Sequence, residues 1–112
     1  MENSPESKEW TATATAVGTR VWQERELRNL TKEALAERCG LASRYIWRVE
    51  EGRQNLVLFT LAKIAQGLDM TLAELLQGVE ELIRNPIPKP ETKPRGPTAR
   101  RKAGAAQPSA KD

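Results

Sequence analysis

The 112-residue chain has no histidine and a single cysteine, Cys39. One thiol excludes an internal disulfide, and without histidine or a second cysteine no zinc-binding set of nitrogen and sulfur ligands can be assembled. The same lack removes the commonest general base. No constellation of nucleophile, base and metal ligand stands out, so the chain is expected not to be an enzyme and to need no cofactor. There is no apolar run of the length needed to span a bilayer, roughly 18 residues or more. The segment from Met1 to Trp10 is polar and has no signal-peptide core. A cytoplasmic chain with no membrane partner is expected.

The balance of charge is uneven. Residues 1–83 hold 10 Lys/Arg and 13 Asp/Glu, a net of −3, whereas residues 84–112 hold 8 and 2, a net of +6. The overall excess of +3 therefore comes from the C-terminal tail. If the part that folds binds a polyanion, its positive side chains must be gathered on one face.

Three stretches follow from composition. Residues 1–12 are polar, contain Pro5 and show no period, and they read as disordered. Residues 85–112 are rich in Pro, Lys, Arg and Ala, with Ile87 the last large apolar side chain, and cannot bury enough surface to order themselves. Between them, residues 13–84 carry a dense helical pattern. A domain this small buries only about 60% of its chain surface, so it needs good caps, a compact helical core or a second subunit.

Five helices are predicted, with no competing strand. The first runs from about Thr13 to Arg28. The second runs from Lys32 to Cys39, with Thr31 as N-cap, Leu30 stapled onto Leu35, and Gly40 suited to the left-handed position after its end. The third runs from about Ser43 to Glu51 and stops at Gly52. The fourth spans Leu58 to Gln66, with Leu58, Leu61, Ile64 and Ala65 on one face. The fifth opens on a capping box of Thr71 and Glu74 and continues as the stripe Leu72, Leu75, Leu76, Val79, Leu82, Ile83.

The second and third helices, joined by one glycine turn over residues 31–52, have the size of a helix-turn-helix. An ordinary helical hairpin in a small bundle has the same outline. The third helix carries the difference: Ile46 and Val49 point inward, and the opposite side presents Arg44, Trp47, Arg48 and Glu51. Arg44 and Arg48, four apart, share a face. A guanidinium fork matches O6 and N7 of guanine in the major groove, the commonest specific base contact. Two solvated arginines would look the same in isolation.

The run Leu30-Thr31-Lys32-Glu33-Ala34-Leu35-Ala36-Glu37-Arg38-Cys39-Gly40-Leu41 and then Ser43-Arg44-Tyr45-Ile46-Trp47-Arg48-Val49-Glu50-Glu51-Gly52-Arg53-Gln54-Asn55 resembles the Cro/C1-type (XRE, lambda-repressor-like) helix-turn-helix family. The likeness covers about Arg20 to Leu76, half the chain. It implies an all-α, five-helix lambda-repressor-like domain whose third helix enters the major groove. It also implies base contacts from Ser43, Arg44, Trp47 and Arg48, and backbone contacts from Lys32, Arg53 and Asn55. Arg25 and Glu50 match a buried ion pair that is structural. The chain departs from the family pattern at Ala42, usually a Ser or Thr that caps the third helix, and at Trp47, usually small or polar. It departs again at Glu51, acidic close to where phosphate should lie, at Leu56, often proline, and at Glu24, often apolar.

Beyond the usual end of the domain, Val79, Leu82 and Ile83 are candidates for a dimer seam, since short operators are normally read as two half-sites by a two-fold dimer. Covering the chain's own core is the alternative. Cys39 reads as a small core residue. Arg100, Arg101 and Lys102 either attract phosphate or merely solubilise the tail. The function expected is a sequence-specific transcriptional regulator, a repressor or autoregulator, partnered by double-stranded DNA and a second copy of itself on the bacterial nucleoid. An antitoxin partnered by a toxin or another regulator, a restriction–modification controller, and a protein-interaction module that does not bind DNA are the alternatives.

Overall fold

The computed structural model describes residues 8–88, which form six α-helices and no strand among the described residues. The expectations for Arg100, Arg101 and Lys102 lie outside that span. Helix α1 (Lys8–Leu27) begins at Lys8 rather than at Thr13. No proline or glycine interrupts Lys8 to Val17, so each further residue adds a hydrogen bond to a helix already nucleated by packing. Trp10, half-buried, contributes to a groove shared with Leu76 and Val79. Asn29, in the left-handed region at φ 56°, turns the chain after α1.

Helix α2 (Lys32–Cys39) starts where its cap predicts: the Thr31 hydroxyl accepts from the Ala34 amide at 2.9 Å. It ends on Gly40 at φ 72°, and the Leu41 amide donates back to the Ala36 carbonyl at 2.9 Å. Helix α3 (Ser43–Glu50) follows after three residues, Gly40 to Ala42, and α4 (Leu58–Gly67) packs on α2. Leu30, Leu41 and Met70, each just before a cap, rest on the core as staples.

The fifth helix of the sequence reading is two helices. Helix α5 (Leu72–Leu76) opens on the Thr71/Glu74 capping box, with both reciprocal hydrogen bonds formed. The chain then leaves helical geometry at Gln77 and Gly78, and Gly78 sits at φ 83° ahead of α6 (Val79–Arg84). A glycine inside a helix is unfavourable by about 1 kcal/mol relative to alanine, and here the break lets α6 turn back onto α1. Val79 and Leu82 are buried with Ala16 in a cluster flanked by Val17, Leu76 and Ile83. The proposed seam residues Val79 and Leu82 are therefore already covered within the chain, and Ile83 is half-buried.

The main core joins Val21 of α1, Leu35, Ala36 and Cys39 of α2, Ile46 and Val49 of α3, Leu61, Ile64, Ala65 and Leu68 around α4, and Leu75 of α5. Close approaches at Gly18 and Gly67 leave no room for a Cβ. A Cβ on Gly18 would lie 2.2 Å from the Val49 carbonyl oxygen, so α1 and α3 cross backbone to backbone. A Cβ on Gly67 would lie 2.5 Å from the Cys39 sulfur. Burial pushes the Cys39 thiol pKa up, which suits a core residue.

Candidate nucleic-acid interface

The orientation of α3 is set from behind. Arg25 Nε donates to Glu50 Oε2 at 2.6 Å and Nη2 donates to Oε1 at 3.0 Å, a two-point contact between buried residues. Arg25 Nη1 also donates to the Leu30 carbonyl at 2.7 Å, tying the α1–α2 turn to the same group. Glu24, at a position where an apolar residue was expected, is held between two arginines, with Arg20 at 2.7 Å and Arg28 at 2.6 Å. Those contacts, Arg28 first, lower its carboxyl pKa. Arg20 in turn caps α5: its Nε and Nη2 each donate at 2.9 Å, to the Leu75 and Glu74 carbonyls. The departure at Glu24 therefore has a job inside the fold.

With its back fixed, α3 presents the outer face that the sequence pattern assigned. Ile46 and Val49 are buried, Arg44 is exposed, and Ser43, Trp47 and Arg48 are half-buried. Ala42 occupies the N-cap in extended geometry and makes no side-chain cap hydrogen bond. Ser43 is the first residue of the helix rather than its cap, so capping does not occupy its hydroxyl. Gly52, at φ 74°, folds the following loop back, and the Arg53 amide donates to the Arg48 carbonyl at 2.9 Å.

That turn brings together residues that the sequence left apart. The Arg44 Cζ lies 5.7 Å from the Trp47 ring centroid and the Arg53 Cζ lies 5.4 Å from it. A residue expected on the base edges and one expected on the backbone thus share one indole. Arg48 is placed differently: its Nε donates to Gln54 Oε1 at 3.3 Å, so the loop takes one of its donors. Gln54 was not foreseen, because nothing in linear spacing relates it to Arg48. Asn55 is exposed in the same loop. Lys32 stands half-buried at the start of α2, where burial, followed by the charge of Arg25, lowers its ammonium pKa. The carboxylates of Glu50, Glu33 and Glu26 act on it in the opposite sense.

A second feature escaped the sequence reading. Leu58 was expected to face inward, yet Val57, Leu58 and Phe59 are all exposed, Phe59 at 72%. They stand at the N-terminus of α4, just past the loop that carries Arg53 and Asn55.

Compared with known proteins, residues 23–75 match the helix-turn-helix family model. The chain is also 35% identical over 57 residues to the control protein C.MunI of a Mycoplasma species, covering 51% of this chain and 77% of that protein. The chain belongs to the Cro/C1-type helix-turn-helix family. It is 32% identical over 65 residues to the HTH-type transcriptional regulator y4dJ of Sinorhizobium fredii, itself uncharacterized, over 58% of this chain and 84% of that one. Among solved structures, the restriction-modification controller protein C.AhdI from Aeromonas hydrophila superposes with a TM-score of 0.54 at 34% identity, over 55% of this chain and 94% of its own. The expected all-α, lambda-repressor-like fold stands, and this Cro/C1-type chain is a DNA-binding transcriptional regulator. No helix among the described residues is long and apolar enough to cross a membrane.

Proposed function

We propose that the chain reads a short palindromic operator as a homodimer, with α3 of each copy in the major groove, and that it controls transcription in the manner of a restriction–modification controller. The observation that carries the reading is the outer edge of α3, where Arg44 is exposed and lies with Arg53 over Trp47. Arg44 and Arg48 supply guanidinium forks for guanine, Ser43 and Trp47 flank them, and Lys32, Arg53 and Asn55 hold the phosphates. The controller assignment is supported by C.MunI and C.AhdI, both control proteins and both at least 34% identical to this chain.

The dimer face we assign is Val57, Leu58 and Phe59, not Val79 and Leu82. An exposed apolar triplet beside the backbone-binding loop is what a two-fold contact between DNA-bound copies needs. Leu56 and Leu61, which flank the triplet in sequence, line a groove of about 930 Å³ with Trp10, Val17, Leu76 and Val79. An exposed Phe59 of one copy has the size and chemistry to enter the apolar part of such a groove on a second copy.

Selection of bound DNA from a random pool, followed by footprinting, tests the reading. Two half-sites related by a dyad, about 10 bp from centre to centre, are expected. Arg44→Ala should weaken the selected site by about 1–3 kcal/mol and relax base preference, whereas Lys32→Ala should flatten the salt dependence by roughly one log unit. Phe59→Glu should leave the fold intact and shift sedimentation towards monomer. Failure to enrich any sequence, or equal loss on selected and random DNA in Arg44→Ala, would sink the reading and favour a protein-interaction module.

A further inference from the structure

We infer that Trp47 is a positioning residue for two arginines at once, and that the sequence preference of this protein depends on the Arg44–Trp47–Arg53 stack. The inference rests on the proposed function for its DNA half only, because the stack itself belongs to the free protein. Arg44 comes from the first turn of α3, Trp47 from the next turn on the same face, and Arg53 from beyond Gly52. Both guanidinium carbons lie within cation–π range of one ring, at 5.7 and 5.4 Å.

The chemistry of that choice matters. An arginine side chain has many rotamers, and ordering it on DNA costs conformational entropy. A carboxylate partner would order it too, but by occupying the N–H edge that reads guanine or grips phosphate. An aromatic face orders the guanidinium through its flat side and leaves the N–H edge for the ligand. Arg48 shows the other solution, since its Nε is engaged by Gln54. Trp47 also links two tasks. Arg44 belongs to the base-reading helix and Arg53 to the backbone-gripping loop, so a phosphate that draws Arg53 disturbs the platform on which Arg44 rests. Base recognition and backbone grip should then be coupled rather than additive.

Trp47→Leu keeps apolar bulk and removes the π face, and Trp47→Phe restores a smaller one. In the free protein, side-chain proton resonances of Arg44 and Arg53 should lie upfield of ordinary arginine. Both should return in Trp47→Leu, while Arg48 stays put. On the selected operator, Trp47→Leu should weaken binding about tenfold and reduce discrimination against a site with its guanine replaced, and Trp47→Phe should recover most of both. Within an Arg44→Ala background the effect of Trp47→Leu should shrink. Absence of the ring-current shifts overturns the stack, whether or not DNA is bound. An undiminished Trp47→Leu loss in the Arg44→Ala, Arg53→Ala double background also overturns it, because Trp47 would then be touching DNA on its own account. If the wild-type chain selects no site, the proposed function falls and the resonance shifts still decide the stack.

Discussion

Arg25 and Glu50, on α1 and α3, are buried against each other at 5% and 2% exposure and are joined by two hydrogen bonds, while Arg25 reaches on to the Leu30 carbonyl. One guanidinium thus links α1 to α3 and to the entry of α2. Removing Arg25 leaves the buried Glu50 carboxylate uncompensated, which is destabilising by about 3–5 kcal/mol, whereas removing Glu50 still leaves Arg25 with Glu26 at 3.4 Å and should be less severe. Arg25→Met should lower the denaturation midpoint steeply, and Glu50→Gln should lower it less. The pair Arg25→Met with Glu50→Leu should recover much of that loss, because no uncompensated charge remains. Chemical denaturation of the three variants checks the expectation, and additive losses in the double variant would contradict it.

Ala42 is the N-cap of α3, and it accepts nothing through its side chain. Its φ of −77° and ψ of 147° are already those of a capping residue. Ala42→Ser should therefore raise stability by about 1 kcal/mol through a new hydrogen bond to an early amide of α3. Thermal melting should show a higher midpoint. No change would mean that solvent already satisfies those amides as well as a hydroxyl does.

Gly18 lets two backbones touch. A methyl there would meet the Val49 and Glu50 carbonyls at 2.2 and 3.0 Å, and backbone cannot swing aside as a side-chain tip does. Gly18→Ala should destabilise the fold by about 3 kcal/mol despite alanine's better helix propensity. A stabilised variant would show that the α1–α3 crossing is looser than described.

Glu24 gives a pH dependence with a definite sign. Its pKa is depressed in the fold, chiefly by the hydrogen bond from Arg28 and then that from Arg20. The stability it adds is therefore present above the unfolded carboxyl pKa, about 4.3, and is lost as pH falls through the lower folded value. Glu24→Gln should be less stable than wild type at neutral pH by about 1 kcal/mol, with the gap closing in acid. Denaturation series at pH 7 and pH 3 measure it, and a gap that stayed constant would dissociate the carboxylate from the effect.

The local code was readable where the physics is local. Thr31, Gly40 and the Thr71/Glu74 box fixed helix ends, because capping involves amides and carbonyls within four residues of the cap. The inward face of α3, Ile46 and Val49, followed from helical period alone, and so did the outward face of Arg44, Trp47 and Arg48. Resemblance supplied the Arg25–Glu50 pairing, and the fold gives it its two-point geometry.

Other features depended on how segments meet. Gly78 in a helical stripe is only a weakening until α6 finds Ala16 and Val17 on α1, and then the break wins because it buries Val79 and Leu82. Leu58 fits an inward period, yet at the N-terminus of α4 it is exposed. Gln54 on Arg48, and Arg53 with Arg44 on Trp47, exist because Gly52 turns the loop back across α3. By itself the sequence determined the caps at Thr31, Gly40 and Thr71/Glu74 and the inward and outward faces of α3, since those depend on neighbours a few residues apart. Tertiary structure alone decided which side chains were covered and which arginines shared a platform, since those depend on surfaces brought together by the turns.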